Sequence, residues 1–377
     1  MDNFKIAVYP YSSEVDPILN YIYLLRPQYE IKSLISLKGF GYDNKKITLG
    51  KADFKNDIII HTSLDKIEND VNCIFIPEFE NEGQFEFEMI NNINSIIKKI
   101  KKIICAAKLK KETLKKLKNI CFSRDNKIEL EIKNDINENN INKSKIYYKY
   151  FDYLENISVP IVLIAGMWEN VDKFYISLAL RDIFLKHGYK VSQIGSRSYC
   201  EMMGFHSFPR FMLNPKIDEV KKVILFNRFI KNIYEIEKSD IIIISIPGAV
   251  QSYNSIYTNK FGILHYLISK AIIIDFLIMC TFYENDGVDF FNLISKSCIY
   301  KFGCPVDFFH MSNNRTYLVM DKMENNYLPR TKVDEILEKY YNKSSFFIAN
   351  VLSKSGINKL YEQIINKLTI NKFNTIN

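Results

Sequence analysis

Five short, almost unbroken apolar runs limit what this chain can fold into: DIIIH (57–61), CIFIP (73–77), VPIVLIA (159–165), DIIIISIPG (240–248) and AIIIDFLIMC (271–280). A strand that is apolar on both faces has to be covered on both faces, and parallel sheets flanked by helices do this. Between the runs the apolar spacing switches to the helical period, so the pattern reads strand, helix, strand for most of the chain's length. The fold class expected is α/β: two Rossmann-like three-layer domains with mainly parallel sheets, the second of them like a P-loop NTPase.

The first series spans residues 1–124. Strands are expected at 4–9, 31–37, 57–62, 72–76 and 102–106, with helices from Ser12 to about Leu25 and over 85–99 and 111–118. Residues 125–157 are rich in Asn and charge and read as a linker, with one edge strand at 128–132. The second domain, 158–377, offers strands at 159–165, 189–194, 240–246, 271–279 and 306–310. Its helices are expected at 172–187, 217–236, 261–269, 289–300, 332–341 and 345–367. No internal repeat is present beyond the two α/β series.

Composition narrows the function classes. The formal charge is +8, yet Lys98 to Lys118 alone holds ten lysines and one glutamate, leaving the rest of the chain near −1. Just upstream, Ile74 to Ile90 has five glutamates and no basic residue. Nucleic-acid binding would call for arginines interleaved with aromatics; a block of lysines alone reads as a solvated face or as a surface for an acidic partner. The seven cysteines form no CxxC and no Cys/His set at zinc spacing, so neither a structural metal nor radical chemistry at a cluster is expected. No apolar run is long enough to span a membrane, and the beginning MDNFKIAVYP lacks the features of a signal peptide, so a cytoplasmic protein is expected.

One segment carries recognisable chemistry. The strand VPIVLIA runs into Gly166-Met167-Trp168-Glu169-Asn170-Val171-Asp172-Lys173 and then a helix, the setting in which backbone N–H groups and a helix N-terminus cradle phosphate. The Gly166 to Lys173 interval is that of the GxxxxxGK[ST] loop of dethiobiotin-synthetase-like P-loop proteins, which the segment resembles. Asp172 stands where the second glycine would be, and Phe174 where a hydroxyl would hold Mg²⁺. Glu169 or Asp172 are the candidate substitutes, Lys173 the phosphate-facing charge, and Gly166 and Asn170 belong to the cradle. Three readings stay open: a loop that binds ATP or another nucleotide or anion, an active transferase, or a purely structural relic. The strand 240–246 has its one carboxylate, Asp240, at the end away from where ligands bind. Gln193, Arg197, Ser245, Gln251, Asn254, His310 and Asn313 fall near the C-terminal ends of expected strands, and His206 sits in an aromatic loop able to act as a lid. Cys304 lies in a Gly-Cys-Pro turn, with no base beside it.

The blocks GMWENVDKFYISLALRDIFLKHGYKVSQIGSR, MMGFHSFPRFM, DIIIISIPGAVQSYN and KFGCPVDFFHMSN resemble the clostridial peptide maturation system proteins, which accompany bacteriocin-like, ribosomally made peptides. The resemblance implies an accessory role in making a modified peptide. The partners it implies are the precursor peptide, other maturation proteins and an acyl-carrier-related protein, and it names no reaction. From a different class comes the alternative of an ATP-dependent enzyme activating a carboxylate on the precursor or carrier; a third is a scaffold whose loop binds nothing.

Overall fold

The computed structural model describes residues 3–50, 56–79, 82–123, 128–133, 153–254, 256, 258–283, 287–319, 322–341 and 346–374. Two compact units result, Met1–Asn137 with Ser198–Gly204, and Glu138–Arg197 with Phe205–Asn377. Both are α/β with a mainly parallel seven-stranded sheet.

In the first unit the chain runs β1 (Phe4–Val8), α1 (Asp16–Asn20), β2 (Tyr29–Ile35), β3 (Lys46–Leu49) and β4 (Asn56–His61), then β5 (Cys73–Ile76), α2 (Glu82–Ile96), β6 (Lys102–Cys105), α3 (Lys111–Cys121) and β7 (Glu129–Ile132). The sheet order is β3-β4-β2-β1-β5-β6-β7, parallel except for β3 against β4. The helix expected from Ser12 to Leu25 is only five residues of α-helix between two 3₁₀ turns. Asn20 Nδ2 takes the Asp16 carbonyl at 2.8 Å, a side chain competing with the backbone for the same acceptor, and the helix stops there. The strand expected at 128–132 exists as β7 and joins this sheet beside β6; 125–127 and 134–152 of the expected linker lie outside the described residues. One member of the lysine block is internal: Lys102, in β6, is buried and paired with Glu129 and Glu131 of β7 at 2.8 and 3.0 Å.

A stretch from the second half of the sequence completes this unit. Ser198 donates its hydroxyl and its N–H to Glu78 Oε1 at 2.8 and 3.3 Å. Tyr199, 1% exposed, sets its ring edge-on to Phe75 of β5 at 5.2 Å, and Arg26 N–H donates to the Met202 carbonyl at 2.9 Å.

The second unit runs β8 (Ile161–Gly166), α4 (Lys173–Lys186), β9 (Val191–Gly195), β10 (His206–Ser207), α5 (Glu219–Glu237), β11 (Ile241–Ser245), α6 (Ile263–Ala271), β12 (Phe276–Thr281) and α7 (Val288–Phe302). It continues with β13 (Phe308–Met311), a hairpin β14 (Asn314–Val319) and β15 (Lys322–Tyr327), α8 (Arg330–Tyr341), β16 (Phe347–Ala349) and α9 (Lys354–Asn374). Its sheet, β10-β9-β11-β8-β12-β13-β16, is parallel throughout. Alternate residues of the central strands divide between two cores. Ile242 and Ile244 of β11 pack with Phe226 of α5, Ile268 of α6 and Phe291 of α7, whereas Ile241 and Ile243 pack with Ile176 and Leu180 of α4 and Leu360 of α9. Helices therefore cover both faces, as the apolar strands require.

Two further expectations are corrected. The stretch 271–279 is not all strand, because α6 continues to Ala271 and β12 begins at Phe276. The single helix over 345–367 is a short strand, β16, followed by a helix beginning at Lys354. The β14–β15 hairpin has no counterpart in the sequence reading. Among the described residues no helix is long and apolar enough to cross a membrane.

Candidate functional site

β8 and β11 are neighbours, and the loops after them lead to helices on opposite faces, α4 and α6. Open α/β sheets hold ligands where connections diverge in this way at the strands' carboxyl ends. The loop 166–173 lies at this point. Gly166 is the last residue of β8, and a Cβ there would come within 2.7 Å of the Trp168 carbonyl oxygen and 2.8 Å of Lys173 Nζ, so the loop folds back over it only because it is glycine. Asn170 and Asp172 both take left-handed backbone conformations, φ 55° and 62°. Asp172 thus has the backbone that glycine favours at the position where the P-loop pattern has one.

Lys173 is the first residue of α4, and its ammonium is buried. Nζ donates to the carbonyl oxygens of Gly248 at 2.9 Å and Trp168 at 3.3 Å, drawing the loops after β11 and β8 together. Among the described residues no carboxylate lies within ion-pair distance of it. Burial pushes its pKa down to about 8, and the Arg197 guanidinium acts in the same direction against the opposing pull of Cys280, Glu169 and Asp172. The contact of Gly262 with Val250 tightens the second loop. Gly262 has φ 68°, and a Cβ on it would stand 1.8 Å from the Val250 carbonyl oxygen, while Val250 N–H donates to the Gly166 carbonyl at 2.8 Å.

The carboxylate of Asp172 is engaged. Oδ2 accepts from Ser312 Oγ and, at 3.2 Å, from His310 Nε2. The Val351 N–H donates to His310 Nδ1 at 3.0 Å, so Nδ1 carries no proton and the imidazole is the Nε2–H tautomer that donates to Asp172. Through this chain the loop is tied to β13 and to Val351, the second residue after β16. Asp172 consequently gives α4 no side-chain cap, which leaves the first-turn N–H groups to other acceptors. It is fixed as a hydrogen-bond acceptor, whereas Glu169 is exposed at the loop surface. Phe174 is buried in the core and brings no oxygen.

The remaining sequence candidates scatter. Gln193 and Ser245 are fully buried in β9 and β11; Gln193 Nε2 donates to the Ser177 carbonyl of α4 at 3.0 Å. Arg197 is half-buried beyond β9. Gln251 receives Asn259 Nδ2 on its carbonyl at 3.2 Å, Asn254 Oδ1 caps the Ile256 N–H at 2.9 Å, and Asn313 Nδ2 holds the Leu328 carbonyl at 3.2 Å. These three side chains or carbonyls shape loops. His206 is not a lid over the loop: its Nε2 lies 2.6 Å from Glu237, the last residue of α5, and its ring stands edge-on to Phe229. Cys304 is half-buried, and burial pushes its thiol up to about 11, which keeps it protonated.

Sequence reasoning missed Asn314, whose Nδ2 donates to the Asn170 carbonyl at 2.7 Å, and the stacking of Trp168 on Phe282 at 4.8 Å with the rings 3° from parallel. It also missed His265 on α6, buried with neither ring nitrogen partnered; burial, then the charges of Lys173 and Lys301, push its pKa down to about 3 and keep it neutral. Three consecutive polar residues after β13, Ser312 to Asn314, were the available signal.

No protein-family model and no curated protein matches the chain. Among solved structures, a DUF1611 family protein from Anabaena variabilis is similar over 97% of this chain and 100% of its own, with a TM-score of 0.59 at 10% identity. The signal recognition particle 54 kDa protein of Aeropyrum pernix, in complex with GDP, aligns over 51% of each chain at 12% identity with a TM-score of 0.28. Chloroplast FtsY of Physcomitrella patens aligns over 50% of this chain and 68% of its own at 14% identity, with a TM-score of 0.26. The first of these likenesses runs the length of both chains and establishes a shared α/β fold.

Proposed function

We propose that the second unit binds the phosphate of a nucleotide at Gly166–Lys173, and that the chain is an accessory component in the maturation of a ribosomally made peptide. The observation that carries the first part is Lys173: a buried cation, held by two carbonyl oxygens with no carboxylate in ion-pair reach among the described residues. Its shift from 10.5 to about 8 corresponds to a burial cost of about 3 kcal/mol. Burying that charge opposes folding, whereas an anion delivered to the loop would find an ammonium, a helix N-terminus and the left-handed backbone of Asn170 and Asp172 around it. Because Asp172 is engaged by Ser312 and His310 and Phe174 offers no oxygen, binding is expected without Mg²⁺.

The second part rests on the resemblance of the sequence blocks alone, and its partners are the precursor peptide, companion maturation proteins and an acyl-carrier-related protein. Calorimetric titration of ATP into the wild type and Lys173→Ala, with and without Mg²⁺, tests the first part. Binding by the wild type alone, unchanged by Mg²⁺, is expected; no heat from the wild type under either condition would sink it. For the second part, deleting the gene from a producing cell should leave the precursor peptide at its unmodified mass. A fully modified peptide from the deletion strain rules the role out.

A further inference from the structure

The phosphate-loop reading says where an anion sits, and two buried polar atoms beside that loop bear on what else the ligand carries. Asn314 opens β14 and is 2% exposed. Its Nδ2 donates to the Asn170 carbonyl at 2.7 Å and its backbone N–H to Ser312 Oγ at 3.0 Å. A carbonyl oxygen can only accept, so the amide is oriented with nitrogen towards the loop, and Oδ1 is the other end. That Oδ1 is buried and has no hydrogen-bond partner. On the loop itself the indole of Trp168 is held parallel to Phe282, and its Nε1–H is likewise buried without a partner. Buried polar atoms in native proteins nearly always find partners, since leaving one unpaired opposes folding. Here one acceptor and one donor are left over on the same eight-residue loop and its anchor.

We infer that the ligand bound at Gly166–Lys173 is a phosphate ester bearing a hydroxyl near its phosphate, with the hydroxyl donating to Asn314 Oδ1 and an oxygen of the ligand accepting from Trp168 Nε1. The inference rests on the phosphate-loop reading and adds the chemical class to it. An inorganic polyphosphate at neutral pH is almost wholly an acceptor. It matches Lys173 and Trp168 and leaves Asn314 Oδ1 unpaired, so Asn314 discriminates between a bare phosphate chain and a hydroxylated ester. Removing a hydroxyl from a site built to receive it weakens binding strongly.

The test uses the full-length protein and Trp168, the chain's one tryptophan, as fluorescent reporter. ATP, 2′,3′-dideoxy-ATP and inorganic triphosphate are titrated at one ionic strength. ATP is expected to bind about tenfold or more tightly than either of the others. Asn314→Ala loses both the acceptor and the donor that anchors the loop, so both affinities should fall and the ratio of ATP to triphosphate affinity should collapse to about one. If Asn314 only anchors the loop, both affinities fall together and the ratio persists, which overturns the assignment. Asn314→Asp keeps an acceptor and loses the anchoring donor, so it should retain the ratio while weakening both ligands. Equal binding of all three ligands by the wild type also overturns it while leaving the phosphate loop intact; no binding of any of them removes the loop reading itself.

Discussion

Lys173 sets a pH dependence of definite sign. Its folded pKa of about 8 lies below the ordinary 10.5, so between those values the unfolded chain holds more protons than the folded one. Stability should therefore rise with pH across that window, by up to about 3 kcal/mol from this group, and the cost is fully present below pH 8. Chemical denaturation at pH 7.5 and 10 checks this, and Lys173→Met should flatten the difference and be the more stable protein at the lower pH. Anion affinity should run the opposite way, constant below about pH 7 and falling as the ammonium deprotonates. At Gly166, replacement by Ala forces a Cβ within 3 Å of Trp168 O, Val171 and Lys173 Nζ. A loss of about 1–3 kcal/mol in thermal or denaturant unfolding is expected, together with loss of ATP binding. Gly166 and Lys173 were legible in the sequence because their spacing is local. Asn314 was not, since the carbonyl it holds is 144 residues away.

Among the elements, the legible ones were those with a single buried solution. IIIIS of β11 and IVLIAG of β8 are buried at every position, and nothing but a covered parallel strand suits them. β3 (KITL) alternates exposed and buried residues at an edge, and its pairing is decided by β4, not by its own composition. β16 is three residues long and runs almost at once into α9, so its apolar residues pass for the start of a helix. At the join of loop and helix, Asp172→Gly separates two opposed effects. It relieves the left-handed strain of about 1 kcal/mol and removes the acceptor for Ser312 and His310. Two hydrogen bonds outweigh one strained residue, so net destabilisation of about 1–2 kcal/mol is expected. A variant as stable as the wild type in urea would show that the tie to β13 contributes nothing.

For the molecule as a whole, the alternation of strand and helix was readable in both series apart from β3, β10, β16 and the β14–β15 hairpin, and the likeness to a DUF1611 family protein extends over nearly all of the chain. What could not be read was where the units divide. The sequence offered a boundary in the Asn-rich stretch, yet the first unit also takes up Ser198–Gly204, a segment with no strand or helix signal of its own. A fragment ending at Asn137 lacks Tyr199 against Phe75 and the Ser198 bonds to Glu78. It should show a broad, weakly cooperative melt by circular dichroism, sharpened when a peptide covering 198–204 is supplied at high concentration. A sharp melt from the fragment alone would mean the segment is dispensable.

The excursion of 198–204 also bears on descent. A unit encoded in one uninterrupted stretch can pass between genes by a single recombination event and fold in its new setting. Here the second unit's coding sequence contains seven codons that serve the first. Any exchange of one half for a homologue's would leave a mismatched strap against β5, so the two halves are expected to diverge as one lineage, with compensating changes at 75, 78, 198 and 199.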